Sequence, residues 1–112
     1  MKVYLDTSII LRKLLAEPGA LKEWGDWEEG CTSEITRVES RRALDRLRLQ
    51  SDLDDAEVAE KIRLLREILE ATDLIGIDAA VLDRAAQSFP TVIGTLDALH
   101  LASALLYFEH KK

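Results

Sequence analysis

The chain has 112 residues, 47% of them hydrophobic and 32% charged, with two prolines, five glycines and a formal net charge of −6. That is enough for one domain with a real core and too little for two, and the balance excludes a disordered or fibrous protein. The negative charge argues against broad nonspecific affinity for nucleic acid, and the longest apolar runs fall well short of the roughly 20 residues a membrane span needs; one cysteine, Cys31, and no signal-peptide pattern before Lys2 point to a reducing cytoplasm.

In chain order, Val3 to Leu5 reads as a buried strand, and Ile9 to Leu15 as a short helix that the Thr7 or Ser8 hydroxyl can cap. Pro18 and Gly19 end it. Leu21, Trp24 and Trp27 recur every three residues, which predicts a second helix with Gly30 as its terminator. "CTS" is a weak strand, after which Ser33 can cap a helix over about 34–50. A longer amphipathic helix starts near Asp54, with Val58, Ile62, Leu65 and Leu69 on one face. "DLIGI" is a short strand, and Asp78 is placed to cap "AAVLDRAAQSF". After Pro90, "TLDALHLASALLYFEHKK" is apolar on nearly every side until Tyr107, which predicts a helix buried between other elements. The order β-α-α-β-α-α-β-α-α implies an α/β fold, a parallel sheet with helices on both faces.

Three acids break the local pattern. Asp6 stands at the carboxyl end of the first strand, the side of an open parallel sheet where ligands bind, although a capping role would equally place it there. Glu39 projects in the arc between Ile35 and Ala43, beside Val38, on the side expected to face the core. Burying a lone carboxylate is expensive, and Arg42 or Arg46 on nearly the same face could balance it. Asp97 lies in the first turn of the last helix, where the macrodipole favours an acid in any case. Such carboxylates repel one another unless a cation stands among them, and oxygen-only ligands select Mg²⁺ or Mn²⁺, whose usual work is to activate water against a phosphodiester. Cys31 has no neighbouring histidine in sequence and reads as a small core residue; His100 and His110 form no zinc pattern.

"VYLDTSIILRKLL", "SEITRVESRRAL" and "GTLDALHLASALL", in that order, resemble the PIN domain, most closely the VapC-like ribonuclease toxins of toxin-antitoxin pairs. The resemblance covers essentially the whole chain, as one domain over 1–112. It implies a three-layer fold and a Mg²⁺- or Mn²⁺-dependent endoribonuclease cutting transfer or ribosomal RNA, held inactive by a cognate antitoxin. The acids matching the family's pattern are Asp6, Glu39 of "T-x-x-E" and Asp97 of "D-A-L-H-L-A"; they would be both the metal ligands and the catalytic residues. Thr7 and Ser8 match the hydroxyl pair after the first acid. Ser8 is a candidate to orient a metal-bound water or carboxylate, and Thr7 a candidate to do no more than cap. Arg42 and Arg46 would meet RNA phosphate or balance Glu39, while Arg37, Arg41 and Arg48, on the opposite helical face, would be solvated or docked by an antitoxin.

The departure is at the end. Family members continue into a strand beside the first, usually with a fourth acid, whereas this sequence stops at "YFEHKK". The expectation is an unpaired edge on the first strand, from a shortened chain or from a homodimer whose second chain covers it. A second hypothesis follows: a catalytically impaired PIN-like module that binds an antitoxin or partner without cutting.

Overall fold

A computed structural model describes residues 2–16 and 29–110. Three parallel strands form a sheet in the order β1-β2-β3: β1 Lys2–Tyr4, β2 Glu29–Ser33 and β3 Asp73–Ile75. Tyr4 is in register with Cys31, and Cys31 with Asp73. Gly30, expected to end a helix, instead lies inside β2 opposite Val3. The helix predicted over Leu21, Trp24 and Trp27, with its break at Pro18 and Gly19, lies outside the described residues.

The helices are α1 Thr7–Leu14, α2 Ile35–Leu49, α3 Asp55–Glu70, α4 Ala79–Ala85 and α5 Thr95–His110. Local chemistry sets their starts. Asp54 accepts from the Glu57 amide at 2.7 Å while Glu57 accepts from the Asp54 amide at 3.1 Å, a reciprocal capping box, and Asp78 caps α4 through the Val81 amide at 2.9 Å. Ser33 accepts from the Ile35 amide at 3.2 Å at the entrance to α2. α2 ends with Ser51 in the left-handed region, φ 62°, where the Asp52 amide reaches back to the Leu47 carbonyl at 2.9 Å and the Ser51 amide to Arg48 at 3.0 Å. That is the Schellman arrangement with a serine where glycine is usual.

Alternation along the strands divides the molecule into layers. Val3, Leu5 and Leu74 turn toward α1, α2 and α3 and meet the buried side chains Ile10, Leu14, Leu44, Leu65 and Leu69. Tyr4 and Asp73 turn to the other face, against α5, and α4 packs on α5. The Tyr107 hydroxyl shares its hydrogen between Glu29 at 2.9 Å and Asp73 at 3.1 Å, across β2 and β3. The expectation of a wholly buried last helix is corrected here: Leu101, Leu105 and Phe108 are exposed along one flank of α5. Their helical spacing places them together on the side that neither the sheet nor α4 covers. Among the described residues β1 pairs only with β2.

Candidate active site

The site begins where β1 stops. Asp6 has extended backbone, φ −79° and ψ 171°, and its Oδ1 accepts from the Ile9 amide at 3.1 Å and from the Ser8 hydroxyl at 2.7 Å. Asp6 itself is therefore the cap of α1, and the expectation that Thr7 or Ser8 caps is corrected. The chain turns into helix at Asp6, which puts Thr7 in the first turn with its side chain inward. Asp6 Oδ2 has no protein partner among the described residues.

Thr7 is buried, and its hydroxyl donates to Glu39 Oε1 at 2.7 Å. It also lies 3.1 Å from the Thr36 hydroxyl and 3.3 Å from His100 Nε2. The reading that Thr7 only caps is thus replaced by a buried junction between α1, α2 and α5. Thr32 donates to the Leu5 carbonyl at 2.6 Å and lies 2.8 Å from Thr36. With the Thr7 and Thr32 hydrogens committed, the single hydrogen of Thr36 serves both neighbours in turn.

Glu39 Oε1 takes a second contact, His100 Nε2 at 2.7 Å, and the Glu39 side chain retains 25% exposure. His100 Nδ1 stands 2.7 Å from the Tyr4 hydroxyl, with the rings edge to face. Burial holds the Tyr4 phenol above its ordinary range, so it keeps its proton. A carboxylate oxygen accepts, so the 2.7 Å contact to Glu39 places a ring hydrogen on Nε2. The line Tyr4–His100–Glu39 thus runs from β1 through α5 to α2.

The compensation for Glu39 is therefore not the one the sequence suggested. Arg42 pairs with Asp45 at 3.4 Å and Arg46 is exposed; neither reaches Glu39. Val38, expected beside it in the core, is 59% exposed. The buried face of α2 is made instead by Thr36, Ser40 and Leu44, and Glu39 stands at its border.

Asp97 is exposed in the first turn of α5, three residues before His100 and so on a neighbouring part of the same helix face. The three acids thus lie on three elements that the Thr7–Glu39–His100 contacts fasten together. Their free oxygens suit a hard divalent cation in chemistry, being carboxylates only. Their spacing does not close a ligand shell: among the described residues no three His, Cys, Asp or Glu side chains stand together as a group able to hold a metal ion. Cys31 is fully buried, as expected, and its thiol is pushed up to about 12 by burial, with Asp73 and Glu29 adding to the effect, which makes it a poor nucleophile.

Tyr4, Thr36 and His100 did not emerge as site residues from the sequence. The available signal was the position of His100, three residues after Asp97 in "DALH".

Residues 3–108 match the PIN domain family. Ribonuclease VapC46 of Mycobacterium tuberculosis is 36% identical over 105 residues, covering 91% of this chain and 73% of that protein. Ribonuclease VapC47 of the same species is 29% identical over 109 residues, covering 91% and 74%. A solved toxin-antitoxin complex from Klebsiella pneumoniae has a chain that superposes with a TM-score of 0.70 at 19% identity, covering 95% of this chain and 80% of that one, a likeness of fold.

Proposed function

The chain belongs to the PIN domain family, in its VapC-like branch, and from that membership we propose that it is a metal-dependent endoribonuclease, the toxin of a toxin-antitoxin pair. The observation that carries the reading is the pair of 2.7 Å contacts from Thr7 and His100 to Glu39, which ties together the elements bearing Asp6, Glu39 and Asp97 at the carboxyl end of the sheet. In this reading those acids hold Mg²⁺ or Mn²⁺. When bound, the cation supplies an activated water and offsets charge on the scissile phosphate.

The chain's own groups fix the ligands in advance. Ser8 occupies Asp6 Oδ1, and Thr7 and His100 occupy Glu39 Oε1; among the described residues Asp6 Oδ2 and Glu39 Oε2 have no hydrogen-bond partner. A carboxylate held by one oxygen loses little freedom when the other binds. Arg42 and Arg46, both exposed, would receive backbone phosphate, which a protein of net charge −6 must attract locally. Transfer or ribosomal RNA is the proposed substrate class, a cognate antitoxin the proposed partner, a homodimer the proposed assembly and the cytoplasm the proposed location.

The test is cleavage of structured RNA with Mn²⁺ or Mg²⁺, comparing the unaltered chain with Asp6→Asn. Asparagine caps a helix about as well as aspartate, so the variant should fold normally while cleavage falls about 100-fold or more. Equal cleavage by both sinks the proposal. The absence of a close three-residue ligand group among the described residues favours a second reading, a partner-binding module without activity. Antitoxin binding by a chain that cuts no RNA with either metal would select it.

A further inference from the structure

We propose that the pocket between the start of α2 and the turn after β3 receives a guanine base of an RNA strand. That the base belongs to RNA rests on the nuclease reading; the choice of base follows from the pocket. It encloses about 350 Å³ and is lined by Glu34, Ile35, Arg37 and Val38 at the start of α2 and by Ile77 beyond β3. The Glu34 amide donates to the Ile75 carbonyl at 2.9 Å, which joins the two walls through the backbone. A volume of this size takes one planar base, its faces against the apolar Ile35, Val38 and Ile77.

What marks the pocket is a pair of opposite charges left unspent. Glu34 stands at the N-cap position of α2 and makes no capping hydrogen bond, whereas Asp6, Asp54 and Asp78, at the same position of α1, α3 and α4, each accept from a helix amide. Glu34 and Arg37 also have the i, i+3 spacing at which Asp45 meets Arg48 at 2.9 Å and Glu60 meets Arg63 at 2.6 Å, yet among the described residues neither has an ion-pair partner. A carboxylate only accepts and a guanidinium only donates. Guanine alone among the four RNA bases offers two adjacent donors, N1–H and the 2-amino group, on one edge and two adjacent acceptors, O6 and N7, on another, and the second edge is the commonest specific contact of arginine. A site for backbone phosphate has no use for the carboxylate, so the pair suits a base edge.

Position links the pocket to the reaction. At about 100° per residue, the side chains around α2 follow the order Arg37, Glu34, Val38, Ile35, Glu39, so the apolar wall leads to Glu39, one turn and about 5–6 Å from Ile35. A base held here brings its own strand's phosphate toward Glu39 and so selects the bond that is cut.

The experiment is fluorescence anisotropy in EDTA, where metal-dependent cleavage does not interfere, with labelled oligouridylates carrying one central guanine, adenine or hypoxanthine, at a single salt concentration, against the full chain. The guanine strand should bind about tenfold or more tighter than the adenine strand, with hypoxanthine, which lacks the 2-amino group, between them. Glu34→Gln, its fold checked by circular dichroism, should lose the guanine preference, and Arg66→Ala should keep it. Equal binding of the guanine and adenine strands, no binding of any strand, or an unchanged preference in Glu34→Gln overturns the proposal. So does displacement by free guanosine monophosphate as readily as by the unlabelled guanine strand, which would assign the pocket to a free nucleotide. Cleavage with Mn²⁺ separates this proposal from the nuclease reading: cutting without guanine preference removes the pocket and leaves the nuclease, while guanine-selective binding without cutting does the reverse.

Discussion

His100 Nε2 and Glu39 Oε1 stand 2.7 Å apart although 61 residues separate them, and the ring's other nitrogen is held by Tyr4. Such a histidine is a positioning residue: it fixes the orientation of a carboxylate without itself needing to meet RNA. His100→Ala should lower metal-dependent cleavage about 10–100-fold, the usual effect of removing a partner that orients a ligand. His100→Gln, which can still offer an N–H to Glu39, should recover part of the loss. Cleavage rates at saturating RNA across a Mn²⁺ titration check this; full activity in His100→Ala would refute it.

Thr7 separates hydrogen bonding from packing. Thr7→Val keeps the shape but removes the donor to Glu39, and should destabilise by about 1–3 kcal/mol. Thr7→Ser keeps the donor and loses one methyl, roughly 1 kcal/mol. Urea unfolding should therefore rank serine above valine. The reverse order would mean that the site is held by packing.

Ser51 occupies a left-handed position that glycine adopts without strain. Ser51→Gly should stabilise the fold by about 1 kcal/mol, since no Cβ then meets the following carbonyl. A lower midpoint in thermal or urea unfolding would contradict this.

Alkaline stability should decline through Cys31. Its native pKa is raised from an ordinary value near 9 to about 12, so above pH 9 the folded state keeps a proton that the unfolded state has released. Stability is full below that ordinary value and falls as pH rises toward 12, by up to about 1.4 kcal/mol per pH unit for this one group. Cys31→Ala should flatten the decline. Parallel curves for the two proteins, from urea titrations between about pH 8 and 11, would remove Cys31 as its source.

Much of the layout was legible because hydrophobic spacing and caps are local. Asp54 and Asp78 announced α3 and α4, and Leu65 and Leu69 the buried face of α3. In α2 the apolar, β-branched Val38 has the chemistry of a core residue yet is exposed, whereas Thr36 and Ser40, polar by type, are the buried pair. Gly30 could serve equally as a helix terminator or as a close-packed strand residue, and pairing with Val3 decides between them. The contacts that hold the candidate site were beyond local inference. Tyr4 and His100 are 96 residues apart, and no periodicity states which hydroxyl will find which ring. The acids drew notice by being out of place, while their supports looked ordinary.

The two attachments of α5 act together as a mounting. His100 is clamped to Tyr4 and Glu39 near one end of the sheet, and Tyr107 to Glu29 and Asp73 near the other, with about 10 Å of helix between them. A rod pinned at two separated points is restrained against both rolling about its axis and sliding along it. The angular setting of Asp97, one turn beyond the first pin, is thereby governed in part from the far end of the strands. Loosening Tyr107 would be felt where no contact of Tyr107 reaches.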